Sequence, residues 1–172
     1  MRMDIYTDGS CHNQNGKLMP AGWAFIVVHP TSEERILAYK TGYMDNATSQ
    51  IAELIAAFEA IKSANLPTMV EIVNIHSDSS YLVNCFLQRW YKKWEITGYS
   101  GIKNEHYWRP LIALVHKMRK ESNIKVHFIK VKGHNGNKYN ELADKLAVEA
   151  RKNGTERNKG YHHKIAESMC NG

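Results

Sequence analysis

Apolar and polar positions alternate from Met3 to Thr7, the period of a half-buried strand, and the run ends at Asp8. Ala21 to His29 (AGWAFIVVH) is apolar almost throughout and predicts a second strand, and Arg35 to Tyr43 predicts a third. Turn signals separate them, at Asn13-Gln14-Asn15-Gly16 and at Pro30 to Glu34, so the three form an antiparallel meander. The period then lengthens. Ile51, Leu54, Ile55, Phe58 and Ile61 recur at helical spacing behind a cap at Thr48 or Ser49, and Leu66-Pro67 stops the helix. Met69 to His76 predicts a fourth strand ending at Ser77-Asp78-Ser79, and Ser79 or Ser80 caps a short helix carrying Leu82, Val83, Phe86 and Leu87.

From Arg89 to Trp94 aromatic and basic residues alternate too tightly for a core helix. Gly98 to Gly101 reads as a loop. Glu105 to Lys120 is a helix with Trp108, Leu111, Ile112, Val115 and Met118 inward, and Lys125 to Val131 is a fifth strand. After a Gly133-His134-Asn135-Gly136-Asn137 loop, Asn137 or Lys138 opens a last helix through Arg151. Three meander strands followed by strand–helix units predict an α/β fold, a mixed sheet with helices on its faces. The expected organisation is one domain over residues 1–151 and a basic, mobile tail over residues 152–172.

The 172 residues can bury a full core without a disulfide or metal staple. No apolar run approaches the roughly 20 residues of a membrane span, so no membrane partner is expected. The N-terminus has no apolar stretch of the signal-peptide kind, and Cys11, Cys85 and Cys170 form no CxxC pair. Reduced thiols in a cytoplasmic protein are the expectation. Nothing in the pattern asks for an oligomer, and a monomer is expected.

The net charge of +6 is unevenly spread. Residues 1–87 hold 5 basic and 9 acidic residues, whereas residues 88–132 hold 11 basic and 3 acidic. A basic block beside an acid-rich half points to a polyanion partner next to a carboxylate site. In open α/β sheets sites lie at the carboxyl ends of strands. Asp8 closes the first predicted strand and Asp78 the fourth; if these are sheet neighbours, both carboxylates meet at one edge. Glu53 stands one turn into the first long helix and Asp144 in the last. Four such acids could assemble an all-oxygen site for a hard cation such as Mg²⁺. Each acid alone could equally be a turn former or a helix-start charge. His134, between glycines, has the freedom to move protons near a phosphate.

At these residues the sequence resembles the type 1 ribonuclease H family. The matching stretches are IYTDGS (5–10), TSQIAEL (48–54), HSDSSY (76–81), WYKKW (90–94), IKNEHYW (102–108) and VKGHNGNKYNELADKLA (131–147), in family order. The resemblance implies a ribonuclease H-like fold: a five-stranded mixed sheet, the three-stranded antiparallel meander plus parallel strands, with helices on both faces. It implies Asp8, Glu53, Asp78 and Asp144 as an acidic quartet holding two Mg²⁺ ions, with Mn²⁺ a possible substitute, and His134 as the mobile family histidine. Asp8 would bridge the ions, Glu53 and Asp78 would complete one shell and Asp144 the other. Two cations roughly 3.5–4 Å apart can clamp an in-line displacement at phosphorus. The implied activity is sequence-independent endonucleolytic cleavage of the RNA strand of RNA–DNA hybrids, leaving 3′-hydroxyl and 5′-phosphate ends.

The same resemblance places Cys11, Asn13, Ser49 and Gln50 near the minor groove, where 2′-hydroxyls mark RNA. It places Thr48 and Asn104 in a phosphate pocket for the DNA strand. Trp90 and Trp94, with Arg89, Lys92 and Lys93, form the basic protrusion, with flat faces for sugars and cations for phosphates. Ser80, Ser49 and Asn46 depart from residues frequent in the family, which bears on fine substrate contacts and not on the quartet. Two rival readings are another nuclease or strand-transferase of the same fold and a non-catalytic hybrid-binding module. The WYKKW and GHxGN motifs weigh against the first, and the intact quartet against the second.

Overall fold

The computed structural model describes residues 1–12, 16–29, 35–64, 69–133 and 136–154, with the backbone of 162–165. The predicted Asn13–Asn15 turn, the Pro30–Glu34 turn, His134 and most of the tail lie outside the described residues. The elements are β1 (Arg2–Cys11), β2 (Met19–Val28), β3 (Ile36–Ala47), α1 (Ser49–Ala64), β4 (Ile72–Ser77), α2 (Ser80–Leu87), α3 (Trp90–Ile96), α4 (Glu105–Lys120), β5 (Lys125–Lys130), α5 (Lys138–Asn153) and β6 (His162–Ile165).

The sheet order is β5-β4-β1-β2-β3-β6. β1, β2 and β3 form the expected antiparallel meander, while β4 and β5 run parallel to β1. The five expected strands are therefore present in a mixed sheet. β6, inside what the sequence presents as a tail, pairs antiparallel with the outer edge of β3 from Ala38↔Ile165 to Thr41↔His162. An edge strand offers a row of unpaired backbone groups, and four residues suffice to use them.

Alternation splits the sheet's side chains between two layers. Met3, Ile5, Phe25, Val27, Val73, Ile75, Val126 and Phe128 join the main core with α1, α2 and α4, in which Leu54, Leu82, Trp108 and Leu111 are fully buried. The opposite layer packs Ile26, Val28 and Tyr6 against Tyr139 and Ala143 of α5. Helices thus cover both faces. α5 approaches closely enough that a Cβ on Gly22 would collide with the carbonyl oxygen of Ala147. Pro20 sits where the β2–β3 register shifts, between Met19 and Ala21, a place where a strand tolerates the missing N–H.

Two expectations are corrected. β1 does not end at Asp8 but continues to Cys11, because β2 pairs with it as far as Cys11↔Ala21 after β4 has left it at Tyr6↔His76. The WYKKW stretch is a helix, α3. Arg89 breaks it from α2 with a left-handed φ of 57°, and Tyr91 turns into the core. Trp90 and Trp94, four residues apart, pack side by side against that core with centroids 6.2 Å apart. Trp94 also meets Trp108 edge-on at 5.3 Å. Helical geometry therefore lets a short segment bury its aromatic side and expose Lys92 and Lys93.

Candidate active site

Parallel pairing of β1 with β4 is offset by 70 residues (Tyr6↔His76), and continuing that register sets Asp8 level with Asp78. Asp8 stands on the central strand just past the last β4 pairing, and Asp78 follows the last residue of β4. Ser77 Oγ accepts from the Ser79 N–H at 3.1 Å, and Ser79 Oγ caps α2 by accepting from the Leu82 N–H at 3.2 Å. These two bonds fix the turn that presents Asp78. Lys130 Nζ donates to the Asp78 carbonyl oxygen at 2.5 Å, tying β5 to the same turn.

Glu53 arrives from α1. Thr48, the last residue before that helix, accepts from the Ile51 N–H at 3.2 Å, so it is the N-cap. Gly9 permits the approach: a Cβ there would lie 2.6 Å from the backbone nitrogen of Glu53. The Gly9 N–H donates to Glu53 Oε1 at 3.0 Å. Carboxylate oxygens of Asp8, Glu53 and Asp78 all lie within 4.8 Å of one another. Asp144, on α5, is near enough to Asp8 to act on it both as a hydrogen-bonding group and as a charge. α5 is itself capped by Asn137, whose Oδ1 accepts from the Asn140 N–H at 3.0 Å, and its far end is tied to β1 by Arg151 Nε donating to Ser10 Oγ at 3.0 Å.

Asp8 is 3% exposed and Glu53 8%. Burial, with the charges of Asp78 and Asp144 added, pushes the Asp8 carboxyl up to about 7, against the lowering effect of its bond with Glu53. Burial and the charges of Asp8 and Asp78 push Glu53 well above the ordinary range too, against the Gly9 N–H. Glu53 Oε2 is buried without a hydrogen-bond partner. Among the described residues no Lys, Arg or His pairs with any of the four acids. Close-set carboxylates, an orphaned buried oxygen and an absent counter-charge fit a site for hard divalent cations.

The remaining sequence-predicted residues are placed as follows. Thr48 is buried at the head of α1, and Ser49 and Gln50 are half-buried beside it. Asn104 precedes α4 in a left-handed conformation (φ 62°) and makes no capping bond. Its Nδ2 instead donates to Tyr81 Oη at 3.2 Å. Tyr107 packs on the small cluster containing Ile51 and Ala52, which brings the heads of α1 and α4 together. Trp90 and Trp94 are half-buried, so their flat faces serve the core as well as the surface. Asn13 and His134 lie outside the described residues.

Sequence reasoning missed two residues. Tyr81 Oη accepts from both Asn104 and the buried Trp108 indole (2.7 Å) and donates to the Lys103 carbonyl at 3.4 Å. It stands inside the HSDSSY stretch, yet only the fold shows its partners. Lys130 was visible merely as one more basic residue of a strand.

The RNase H family model matches residues 1–152. Among curated relatives, a ribonuclease H of Thermoanaerobacter sp. strain X514 is 34% identical, over 91% of this chain and 94% of its own. One from Acetivibrio thermocellus is 37% identical over 86% and 93%. Among solved structures, LC9-RNase H1, described as a type 1 RNase H with the type 2 active-site motif, superposes with a TM-score of 0.77 at 23% identity, covering 98% of this chain and 79% of its own. RNase H1 of Halobacterium salinarum gives a TM-score of 0.64 at 20% identity, over 89% of this chain and 99% of its own. With its mixed sheet and its acidic cluster, this chain belongs to the RNase H family of enzymes, in its type 1-like form.

Proposed function

We propose that the chain is an endoribonuclease that hydrolyses the RNA strand of RNA–DNA hybrids without regard to sequence, leaving 3′-hydroxyl and 5′-phosphate ends. The observation that carries this reading is the convergence of Asp8, Glu53 and Asp78 within 4.8 Å at the carboxyl end of paired strands, in a chain matched by the RNase H family over residues 1–152. Asp8, Glu53, Asp78 and Asp144 would hold two Mg²⁺ ions, with Mn²⁺ as a substitute. When bound, such ions lower the pKa of an attacking water and neutralise charge on the leaving oxygen.

The chain's own groups supply the rest. Gly9 holds Glu53 through its N–H, so one carboxylate oxygen is committed and the other stays available. His134, next in sequence after Gly133, is assigned proton transfer to the leaving oxygen or product release. Ser49, Gln50 and Asn13 are assigned to 2′-hydroxyls along the RNA strand. Thr48 uses its oxygen as an acceptor in capping α1, and its O–H proton stays available to a phosphate of the DNA strand. The uncapped start of α4 beside Asn104 offers backbone N–H groups to the same phosphate, with the first-turn acid Glu105 paired to Arg109 at 3.4 Å. Lys92 and Lys93 on α3 neutralise phosphates further along. A solved foamy viral protease-reverse transcriptase in complex with RNA/DNA hybrid shares this fold, with a TM-score of 0.70.

The reading extends to a cytoplasmic monomer, consistent with free thiols at Cys11 and Cys85. The deciding experiment is cleavage of end-labelled hybrid, RNA–RNA, DNA–DNA and single strands with Mg²⁺, beside Asp8→Asn. Hybrid-only cleavage, lost in the variant, is expected. Retained cleavage by Asp8→Asn overturns the site.

A further inference from the structure

Away from the acidic cluster, a groove of about 570 Å³ wraps the outer edge of β5. Arg89 and Lys92 reach it from the α2–α3 junction, Arg119 from the last turn of α4, and Lys125 and His127 from β5 itself. Tyr91 forms part of its floor, and no carboxylate lines it among the described residues. Four full positive charges and a histidine therefore converge from three parts of the chain with no acidic partner in the lining. Like charges gathered in one concavity repel, and a polyanion relieves that repulsion.

The groove is also shaped rather than incidental. Arg89 is turned outward by its left-handed backbone, which separates the two helices at that point. The Arg119 guanidinium is oriented by donating to the Val126 carbonyl oxygen at 2.7 Å. Lys92 lines the groove while its neighbour Lys93 does not, so α3 divides its two lysines between different surfaces.

We propose that this groove is a second phosphate-binding site, which takes the sugar–phosphate backbone of nucleic acid without regard to base or sugar. Its place relative to the acids follows from β5. Lys130 touches the carbonyl of Asp78, and Lys125 lies five residues earlier, about 16 Å away at ~3.3 Å per residue. A backbone strand laid along β5 would span that distance in about five nucleotides at ~3.4 Å each. It therefore adds grip on long polynucleotides.

The test is fluorescence anisotropy with a labelled 24-base-pair DNA duplex in EDTA, titrated with salt, so that neither metal nor cleavage enters. Arg119→Gln with Lys125→Gln removes two of the cations, and Lys62→Gln with Lys152→Gln is the charge-matched control on α1 and α5. Thermal melting checks that both remain folded. The groove variant is expected to bind roughly tenfold more weakly at low salt, with a log K versus log [salt] slope shallower by about 1.8. Arg119→Lys with Lys125→Arg, which keeps the charge, should restore both. Equal affinity and slope in groove variant and control overturns the proposal, as does failure of the charge-keeping pair to restore binding. Loss of RNA cleavage by the chain would leave this outcome untouched.

Discussion

Replacing Gly9 by alanine tests how the site is assembled. The added Cβ would lie 2.6 Å from the Glu53 nitrogen and 2.7 Å from the carbonyl carbon of Ala52. Ordinary contact starts near 3.4 Å, so α1 must retreat by about 0.8 Å. Overpacking of this kind costs ~1–3 kcal/mol. In a chain of this size that lowers Tm by roughly 2–12 °C. The same retreat carries Glu53 away from Asp8 and strains the Gly9–Glu53 hydrogen bond. A displacement near 1 Å at a reacting centre costs on the order of 100-fold in rate. Thermal melting and kcat on a fluorescent hybrid at saturating Mg²⁺ measure both effects. Gly98→Ala is the comparison: nothing lies within 4 Å of its Cβ, its φ is +63°, and only backbone strain of about 1 kcal/mol with unchanged kcat is expected. A Gly9→Ala protein melting within 1 °C of wild type and turning over within about twofold would refute the close-approach argument.

Asp8 and Glu53 hold protons more tightly folded than unfolded, so their stabilising contribution is full at low pH and lost as pH rises through their folded values. Metal-free protein should therefore lose stability between about pH 4 and 7, with up to about 4 kcal/mol from Asp8, and Asp8→Asn should flatten that profile and melt higher at pH 8 in EDTA. Identical pH profiles for the two proteins would sink this. Tyr81→Phe strips the acceptor from the fully buried Trp108 indole and should cost ~1–3 kcal/mol in urea melts while loosening Asn104; an unchanged midpoint contradicts it. Lys92→Ala with Lys93→Ala should weaken hybrid binding and reduce its salt slope by about 1–2, whereas an unaltered slope removes α3 from the DNA contact.

Elements whose period agrees with their burial were legible along the chain. The order of the meander and the helices α1, α4 and α5 follow the pattern, and of each pair of candidate caps the structure uses Thr48, Ser79 and Asn137, while β1 and β3 run past their expected ends to Cys11 and Ala47. The coincidence of Asp8 with Asp78 was legible as a condition, that their strands be neighbours, and the pairing of β1 with β4 supplies it. Three things escaped. α3 reads as an irregular segment because its aromatic side is buried by neighbours that only the fold assembles, Trp108 among them. β6 carries no apolar alternation, and its place comes from the open backbone of β3. Lys130 and Tyr81 act through backbone carbonyls and an indole distant in sequence, and no local pattern marks such contacts.

The offset of 70 between β1 and β4 makes the distance between the acids a matter of counting. Because successive strand residues point to opposite sides, a single insertion or deletion between Ile72 and Asp78 would swing Asp78 to the far side of the sheet. Length in this stretch is thus as constrained as the apolar character of Val73 and Ile75, which the core buries fully. Loop grafts and chimeras built on this scaffold should place their junctions beyond Ser79, and leave the tally of residues from Ile72 onward intact.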